Sequence, residues 1–302
     1  MSLHLAHASL SFSTDVTVDT DAPFTPTPDG LLPVVGNAYQ VPRDLRVAAA
    51  WAGAEAASLF PAATLDSLAD VRLETPALAE INPASIRPLA PLTAGVPTDG
   101  LRVTDYACNP LPLRAGDPLS IVGTIAPQGS APSIEAQALI WLTEGCQPVP
   151  DVPSLIVPFV LGSALPATTH AWVASAIRFL RPLPGTRFAI LELEVVASLG
   201  LLAARLALPG SPLKPGVLTA TGTNATSFRQ ARIFESMHLG VLGEFDAFAP
   251  PTLETLAVAN PASALVRGWM RVAPLDFKGA RATSAFTQHP GGCACGACGR
   301  KG

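Results

Sequence analysis

Charge is what this chain most lacks. Charged residues occupy 14% of its 302 positions, against roughly 25% in an ordinary soluble domain. Lysine occurs only at Lys214, Lys278 and Lys301, and the first arginine is Arg43. The formal net charge is −4, with no basic arm. Gripping naked nucleic acid takes clustered Lys and Arg that displace counterions, so direct nucleic-acid binding is not expected. Aromatic residues are only 6%, too few for a surface built to stack on sugars. The five cysteines are an odd number, which rules out a complete intramolecular disulfide framework; a reducing cytoplasm is the plainer setting. Met1 to Phe12 has neither the positive start nor the apolar centre of a secretory leader. The longest uncharged run, Val152 to Ile177, holds Pro153, Pro158, Pro166 and His170. A spanning helix needs about 20 mostly apolar residues without such breaks, so the run reads as strands and loops.

What the chain does have is apolar residues and proline. At 49% hydrophobic, it can offset the entropy of ordering, and disorder is not expected. Its 31 prolines are about twice the usual share of roughly 5%. Spread along the whole length, they argue against long helices.

Between the prolines the pattern is alternating. Leu10, Phe12, Val16 and Val18 stand against Ser9, Ser11, Ser13 and Thr17, so Leu5–Val18 reads as a half-buried strand. Thr20–Pro33 is a turn-rich loop, with Asp29-Gly30 at an exposed tip. Further strands are expected at Leu45–Trp51, Leu101–Tyr106, Leu119–Ile125 and Ile134–Leu142. Ala48–Asp70 is rich in alanine and broken by Pro61; one or two short helices are expected there. Gly145–Pro153, with three prolines, reads as a linker. Beyond it strands are expected at Trp172–Leu180, Arg187–Val196, Leu201–Leu208, Arg232–Leu242, Leu253–Val258 and Leu265–Val272. Gly185 and Gly200 bracket the Arg187 segment and suit tight turns.

Strands at this spacing, with Gly/Pro turns, read as sandwiches or jelly rolls. The expected fold is all-β: two adjacent jelly-roll-like β-sandwiches with short helices in the connections. Residues 1–147 would form the first and 148–279 the second, and 280–302 a flexible Gly/Cys-rich tail.

The chemistry-bearing residues are few. His289, Cys293, Cys295 and Cys298 are the one weak metal cluster: three thiolates and an imidazole suffice for tetrahedral zinc. Against this, structural zinc sites join two distant knuckles, and a free or cross-linking tail is the simpler reading. Cys108 and Cys146 are isolated and read as small core residues. His4 and His7 are three apart on one strand and face opposite sides. His238 sits in an apolar strand. Glu192 and Glu194 share a strand face about 7 Å apart, which reads as a wet face. A glycosidase would need the pair across a cleft. No Gly-x-Ser-x-Gly elbow, phosphate loop or dinucleotide fingerprint occurs. No catalytic residue, metal or cofactor is expected, and the chain does not read as an enzyme.

Five phrases carry a resemblance: Tyr39-Gln-Val-Pro-Arg-Asp-Leu45, Leu73-Glu-Thr-Pro-Ala-Leu78, Ile86-Arg-Pro-Leu89, Asn109-Pro-Leu-Pro-Leu113 and Met237-His-Leu-Gly-Val-Leu-Gly-Glu-Phe245. With the length and the two-halves layout, the chain resembles major capsid proteins of tailless icosahedral phages, the double jelly-roll type. The resemblance implies two upright β-sandwiches, a homotrimeric capsomer of pseudo-hexagonal outline, and an icosahedral shell. Its partners would be copies of itself, with other virion proteins or an internal membrane. Its location would be the virion, after synthesis in the host cytoplasm. Low charge suits extensive subunit burial, since interface cores are depleted in charge. The alternative is a cell-surface or secreted β-sandwich binding module, an adhesin or carbohydrate-binding domain, which the missing leader and scarce aromatics disfavour. A cupin-like enzyme is less favoured still, because no His-x-His pair occurs.

Overall fold

A computed structural model of the chain describes residues 3–54, 68–76, 84–86, 104–105, 111–125, 127, 134–144, 154–183, 185–197, 201–218, 220–221, 241–257, 260–262 and 266–276. Among the described residues the fold is all-β, with three sheets and no α-helix. The strands of the first half are β1 (Leu3–Phe12), β2 (Thr20–Pro23), β3 (Thr25–Pro26), β4 (Val34–Val35), β5 (Ala38–Gln40), β6 (Leu45–Ala54), β7 (Leu68–Glu74), β8 (Ala84–Ile86), β9 (Thr104–Asp105), β10 (Leu111–Leu113), β11 (Pro118–Ile125) and β12 (Ile134–Thr143). Those of the second half are β13 (Leu155–Leu161), β14 (Trp172–Phe179), β15 (Arg187–Ala197), β16 (Leu201–Ala207), β17 (Gly216–Leu218), β18 (Ala220–Thr221), β19 (Gly243–Asp246), β20 (Thr252–Ala257) and β21 (Val266–Pro274).

The strand order repeats. In the first half, count β1, β5, β6, β7, β8, β10, β11 and β12 as first to eighth. The first sheet then runs first–eighth–third–sixth, and the second sheet runs second–seventh–fourth–fifth. Now count β13, β14, β15, β16, β17, β19, β20 and β21 in the same way. The same two orders appear, and the neighbours are antiparallel throughout. This is jelly-roll order, and each half is called a roll below. In the second roll β13 also pairs with β14, which joins both orders into one nine-stranded sheet, a curled half-barrel.

The first sheet is a middle layer with both faces buried. On β1, Leu3 and Leu5 enter one core while Ala6, Ala8 and Leu10 enter the other. On β6 and β12 the same split sends Ala49, Trp51, Leu139 and Trp141 one way, and Val47, Ala50, Ala52, Ala138 and Ile140 the other. The second of these cores is closed by Val71, Leu73, Leu119 and Ile121 of the second sheet. The first is closed by the second roll at β16 and β17, where Arg205 and Gly216 lie against Leu5 and Gly216 accepts from Trp141, and it runs on into the second roll's own core of Leu202, Leu206, Leu253 and Met270. A sheet covered on both faces reads as a continuous apolar run, not an alternating one.

That layering bears out the strand expected at Leu45–Trp51 and overturns the expectation of helix at the two described ends of Ala48–Asp70. Ala48–Ala54 belongs to β6 and Leu68–Asp70 to β7; residues 55–67 lie outside the described set. Helix propensity among alanines is worth a few tenths of a kcal/mol per residue, and burial overrides it. Ala48, Ala49, Ala50 and Ala52 have no exposed surface, and their small side chains let two layers close on the strand. The first strand also stops earlier than expected, at Phe12. The strands expected at Leu119–Ile125, Ile134–Leu142, Trp172–Leu180, Arg187–Val196, Leu201–Leu208, Leu253–Val258 and Leu265–Val272 are present to within a few residues. Of Leu101–Tyr106 only Thr104–Asp105 is described as strand. Of Arg232–Leu242, only Val241 and Leu242 are described, and they are not strand. The expected linker at Gly145–Pro153 lies outside the described residues.

The core phase changes within β15. Phe188 and Ile190 are buried, and so are Leu193 and Val195, a shift from even to odd positions. A register shift between Ile190 and Glu192 inserts Leu191 as an extra residue, which is how a β-bulge resets which side chains face inward. On β21, Gly268 lies beneath the Phe159 ring; a Cβ there would stand 2.1 Å from the ring. Gly268→Ala is expected to destabilise the protein by roughly 1–3 kcal/mol through overpacking. Urea unfolding checks this, and the added change Phe159→Leu should recover part of the loss.

Candidate functional site

The two rolls meet around one buried arginine. Arg205, on β16, is 1% exposed. Its Nη1 donates to the Leu5 carbonyl at 2.8 Å and to Asp29 Oδ2 at 3.3 Å, both in the first roll. Its Nε donates to Glu254 Oε2 at 2.7 Å, the residue opposite it on β20. Its guanidinium lies 4.0 Å from the centre of the Trp172 ring, a cation–π contact. Lys214 Nζ donates to the other Glu254 oxygen at 2.7 Å. His4, fully buried on β1, has Nε2 3.0 Å from Asp29 Oδ2, and its Nδ1 accepts from the Lys214 N–H at 3.3 Å. Two backbone bonds cross the same seam: Leu5 N–H to the Lys214 carbonyl, and Leu3 N–H to the Leu242 carbonyl. Trp141 Nε1 donates to the Gly216 carbonyl at 2.8 Å. Gly216 is needed for this approach, since a Cβ there would meet Leu5 Cδ2 and Arg205 Cβ at 2.7 Å.

The local sequence explains how Asp29 reaches the seam. Its Oδ1 accepts from the Leu31 and Leu32 N–H groups, both at 2.8 Å, an Asx turn that an aspartate before glycine favours. Tyr39 anchors the same loop by donating to the His7 and Thr27 carbonyls. The expected exposed tip is therefore wrong for Asp29, whose side chain has no exposed surface. Turn chemistry was read correctly, but the partner that draws the turn inward is about 175 residues away in sequence.

Electrostatics follow the partners. Burial alone would raise the Asp29 carboxyl, but the His4 hydrogen bond and the His4 and Arg205 charges outweigh it and hold the pKa at about 2. Burial works the same way on Glu254, and Arg205 and Lys214 again win, so it stays below the usual range. Burial pushes His4 below the ordinary histidine value despite Asp29. His7 is pushed to about 4, chiefly by burial. Its Nδ1 lies 2.7 Å from Thr27 Oγ1, and its Nε2 2.6 Å from Gln137 Oε1.

Among the described residues two further sheet faces carry exposed side chains, although Val241 covers Ala189 and Ala273 on one of them. On the second roll the outer face of β13, β21 and β15 carries the rows Ile156–Arg271–Glu192 and Pro158–Trp269–Glu194. Ile156 is 71% exposed, Leu180 at the end of β14 is 52%, and Trp269 is 37%. Arg271 pairs with Glu192, while burial and the Glu192 charge raise Glu194. On the first roll the outer face of the second sheet carries Arg72, bonded to Asp21 at 2.5 Å, Glu74 at 2.8 Å and Thr124 at 2.8 Å.

Glu192 and Glu194 thus share one strand face, as read, but that face is half-buried rather than wet. His4 and His7 do point to different partners. His289, Cys293, Cys295, Cys298, Cys108, Cys146 and His238 lie outside the described residues. Among the described residues no group of three or more His, Cys, Asp or Glu is placed to hold a metal, and no helix is long and apolar enough to cross a membrane. The sequence reading missed Arg205 and Glu254. Their signal was available: each is a lone charge inside an apolar strand, Leu-Leu-Ala-Ala-Arg-Leu-Ala and Thr-Leu-Glu-Thr-Leu-Ala. A charge in such a run requires a buried partner.

Comparison with protein-family models, curated proteins and solved structures finds no match.

Removing the central cation takes a charged partner from two largely buried carboxylates. Arg205→Ala is expected to cost roughly 3–5 kcal/mol, the scale for breaking a buried ion pair on one side. Arg187→Ala, which removes the exposed pair with Glu244, should cost under about 1 kcal/mol. Chemical denaturation of both variants checks the contrast.

Proposed function

We propose that this chain is a self-assembling major capsid subunit that forms trimeric capsomers of an icosahedral shell. The observation that carries the reading is the doubled jelly-roll order, together with the way its two copies are joined. The joining contact is heterologous: the outer face of the first sheet of one roll lies against the β14–β20–β16 face of the other. Among the described residues, the corresponding faces not used in that contact are β13–β21–β15 on the second roll and the second sheet on the first. A heterologous contact repeated between copies closes a ring if the rotation permits. Three two-roll chains would give six rolls in a ring, as the resemblance to double jelly-roll capsid proteins implies.

These faces support this. Ile156, Leu180 and Trp269 form an exposed apolar stripe flanked by Arg178, Arg267 and Arg271. The facing surface of the next copy would offer Asp21 and Glu74 beside a single arginine, Arg72. Aromatic and arginine side chains are enriched at interface centres. The work of such a protein is mechanical, and it needs no catalytic group.

Light scattering with negative-stain microscopy is the test. A particle of three times the 31.1 kDa chain mass, or a hollow shell of uniform diameter, is the expected result. A monomer across salt and pH would overturn the reading. Ile156→Arg places a charge on the exposed stripe and should leave stability within about 0.5 kcal/mol. The expected outcome is an unchanged far-ultraviolet circular dichroism spectrum with loss of the trimer.

A further inference from the structure

We propose that His4 is the pin of an acid-operated latch: protonating it releases the second roll from the first while the sheets of each roll persist. The idea rests on the geometry of the seam and does not depend on what the assembled chain does.

The His4 ring bridges the rolls in one protonation state only. The Lys214 N–H points at Nδ1, so Nδ1 must carry a lone pair. The ring proton is then on Nε2, donated to Asp29 Oδ2. A second proton would have to sit on Nδ1, where it would face the Lys214 N–H. Two donors would oppose each other, and the bond tying the loop before β17 to β1 would be lost. The adjoining bond, Leu5 N–H to the Lys214 carbonyl, involves the same residue and would be disturbed with it.

The surrounding charges make the same case. Around His4 stand Asp29 from the loop after β3, Arg205 from β16, Lys214 from the loop before β17 and Glu254 from β20. With His4 neutral, two carboxylates balance two cations. Protonation adds a third cation to a group largely removed from water. Asp29 cannot simply absorb it, because its two oxygens already accept from Arg205, Leu31 and Leu32. Burial, the largest influence on His4, lowers its affinity for that proton.

Two other histidines lie nearby and are separable. His7 bonds Thr27 and Gln137, both within the first roll, and makes no bond across the seam to Lys214 or Asp29. His170 is exposed, just before β14, with its backbone in the left-handed region (φ 55°). Its N–H donates to the Ala257 carbonyl of its own roll, and its charge acts on His7.

The sign follows from linkage. A histidine whose folded pKa lies below the free value of roughly 6.5 favours the latched state at neutral pH, and that support is lost as pH falls below about 6.5. Between there and the pKa of latched His4, the latch equilibrium should shift about tenfold per pH unit. The depressed carboxylates act below about pH 4, outside this window.

Tryptophan fluorescence of the full chain reads the seam, because Trp51, Trp141 and Trp172 lie in or against the core shared by the two rolls. Between pH 7.5 and 4.5 the emission should shift to the red while the far-ultraviolet circular dichroism stays constant. His4→Gln keeps a donor for Asp29 but cannot titrate, and its emission should stay flat. An equal shift in His4→Gln, no shift in the wild type, or simultaneous loss of the dichroism would each overturn the latch. Should His4→Gln not fold, hydrogen exchange of the wild type decides, after correction for intrinsic rates. The Leu3, Leu5 and Lys214 amides should lose about tenfold protection per pH unit while residues 119–125 keep theirs. Uniform loss, or none, would overturn it.

Discussion

A guanidinium cannot give up its proton, and Arg205 holds one out of water between the two halves of this chain. Much of the seam is what that charge requires. Glu254 answers it from the next strand and Asp29 from the far roll. The Leu5 carbonyl takes a further N–H, and Trp172 covers the planar face. Each partner is fixed in turn: Asp29 by its own turn, Glu254 by Lys214, His4 by the Lys214 N–H. A buried ion pair adds little net stability compared with an apolar packing of the same volume. Its effect here is on geometry, because the network is satisfied in one relative placement of the rolls.

The rest of the seam is shape. The middle sheet is pressed from both sides, so its strands carry alanine where a larger residue would force the layers apart. Glycine at 216 does the same on the facing edge. The result is two rolls joined by unlike faces. A chain built this way is asymmetric along its stack, and the proposed contact between copies would use that asymmetry. A low surface charge, with an apolar stripe around Ile156 and Trp269, is consistent with surfaces that are covered in use.

Most strands were legible because period-two alternation between apolar and polar residues is a local property. β15 and β21 were read to within a few residues, but β15 pairs with β21 and β19 rather than with β14 or β16, so it is not the hairpin strand that Gly185 and Gly200 suggested. In the middle layer Leu45–Trp51 and Ile134–Leu142 were read as strands, and the end of β6 was harder. In β6 the run Ala48–Ala54 lacks alternation because neither face meets water, and alanine's intrinsic preference then points the wrong way. Local pattern cannot tell a strand buried on both faces from a buried helix. Asp29 shows the same limit for a site. Its turn was plain from Asp-Gly, yet whether the carboxylate faced water depended on an arginine in another roll.

The sequence by itself therefore determined the class of fold, through its prolines, its alternation and its shortage of charge, all of which act over a few residues. It also determined that no familiar catalytic constellation is written in short motifs. The tertiary structure alone decided that the strand order occurs twice, that the first sheet is a middle layer, and that His4, Asp29, Arg205, Lys214 and Glu254 form one network. The reason is physical: strand pairing and charge burial are set by contacts between residues far apart in the chain, and the solvent exposure of a charge exists only once those contacts have formed.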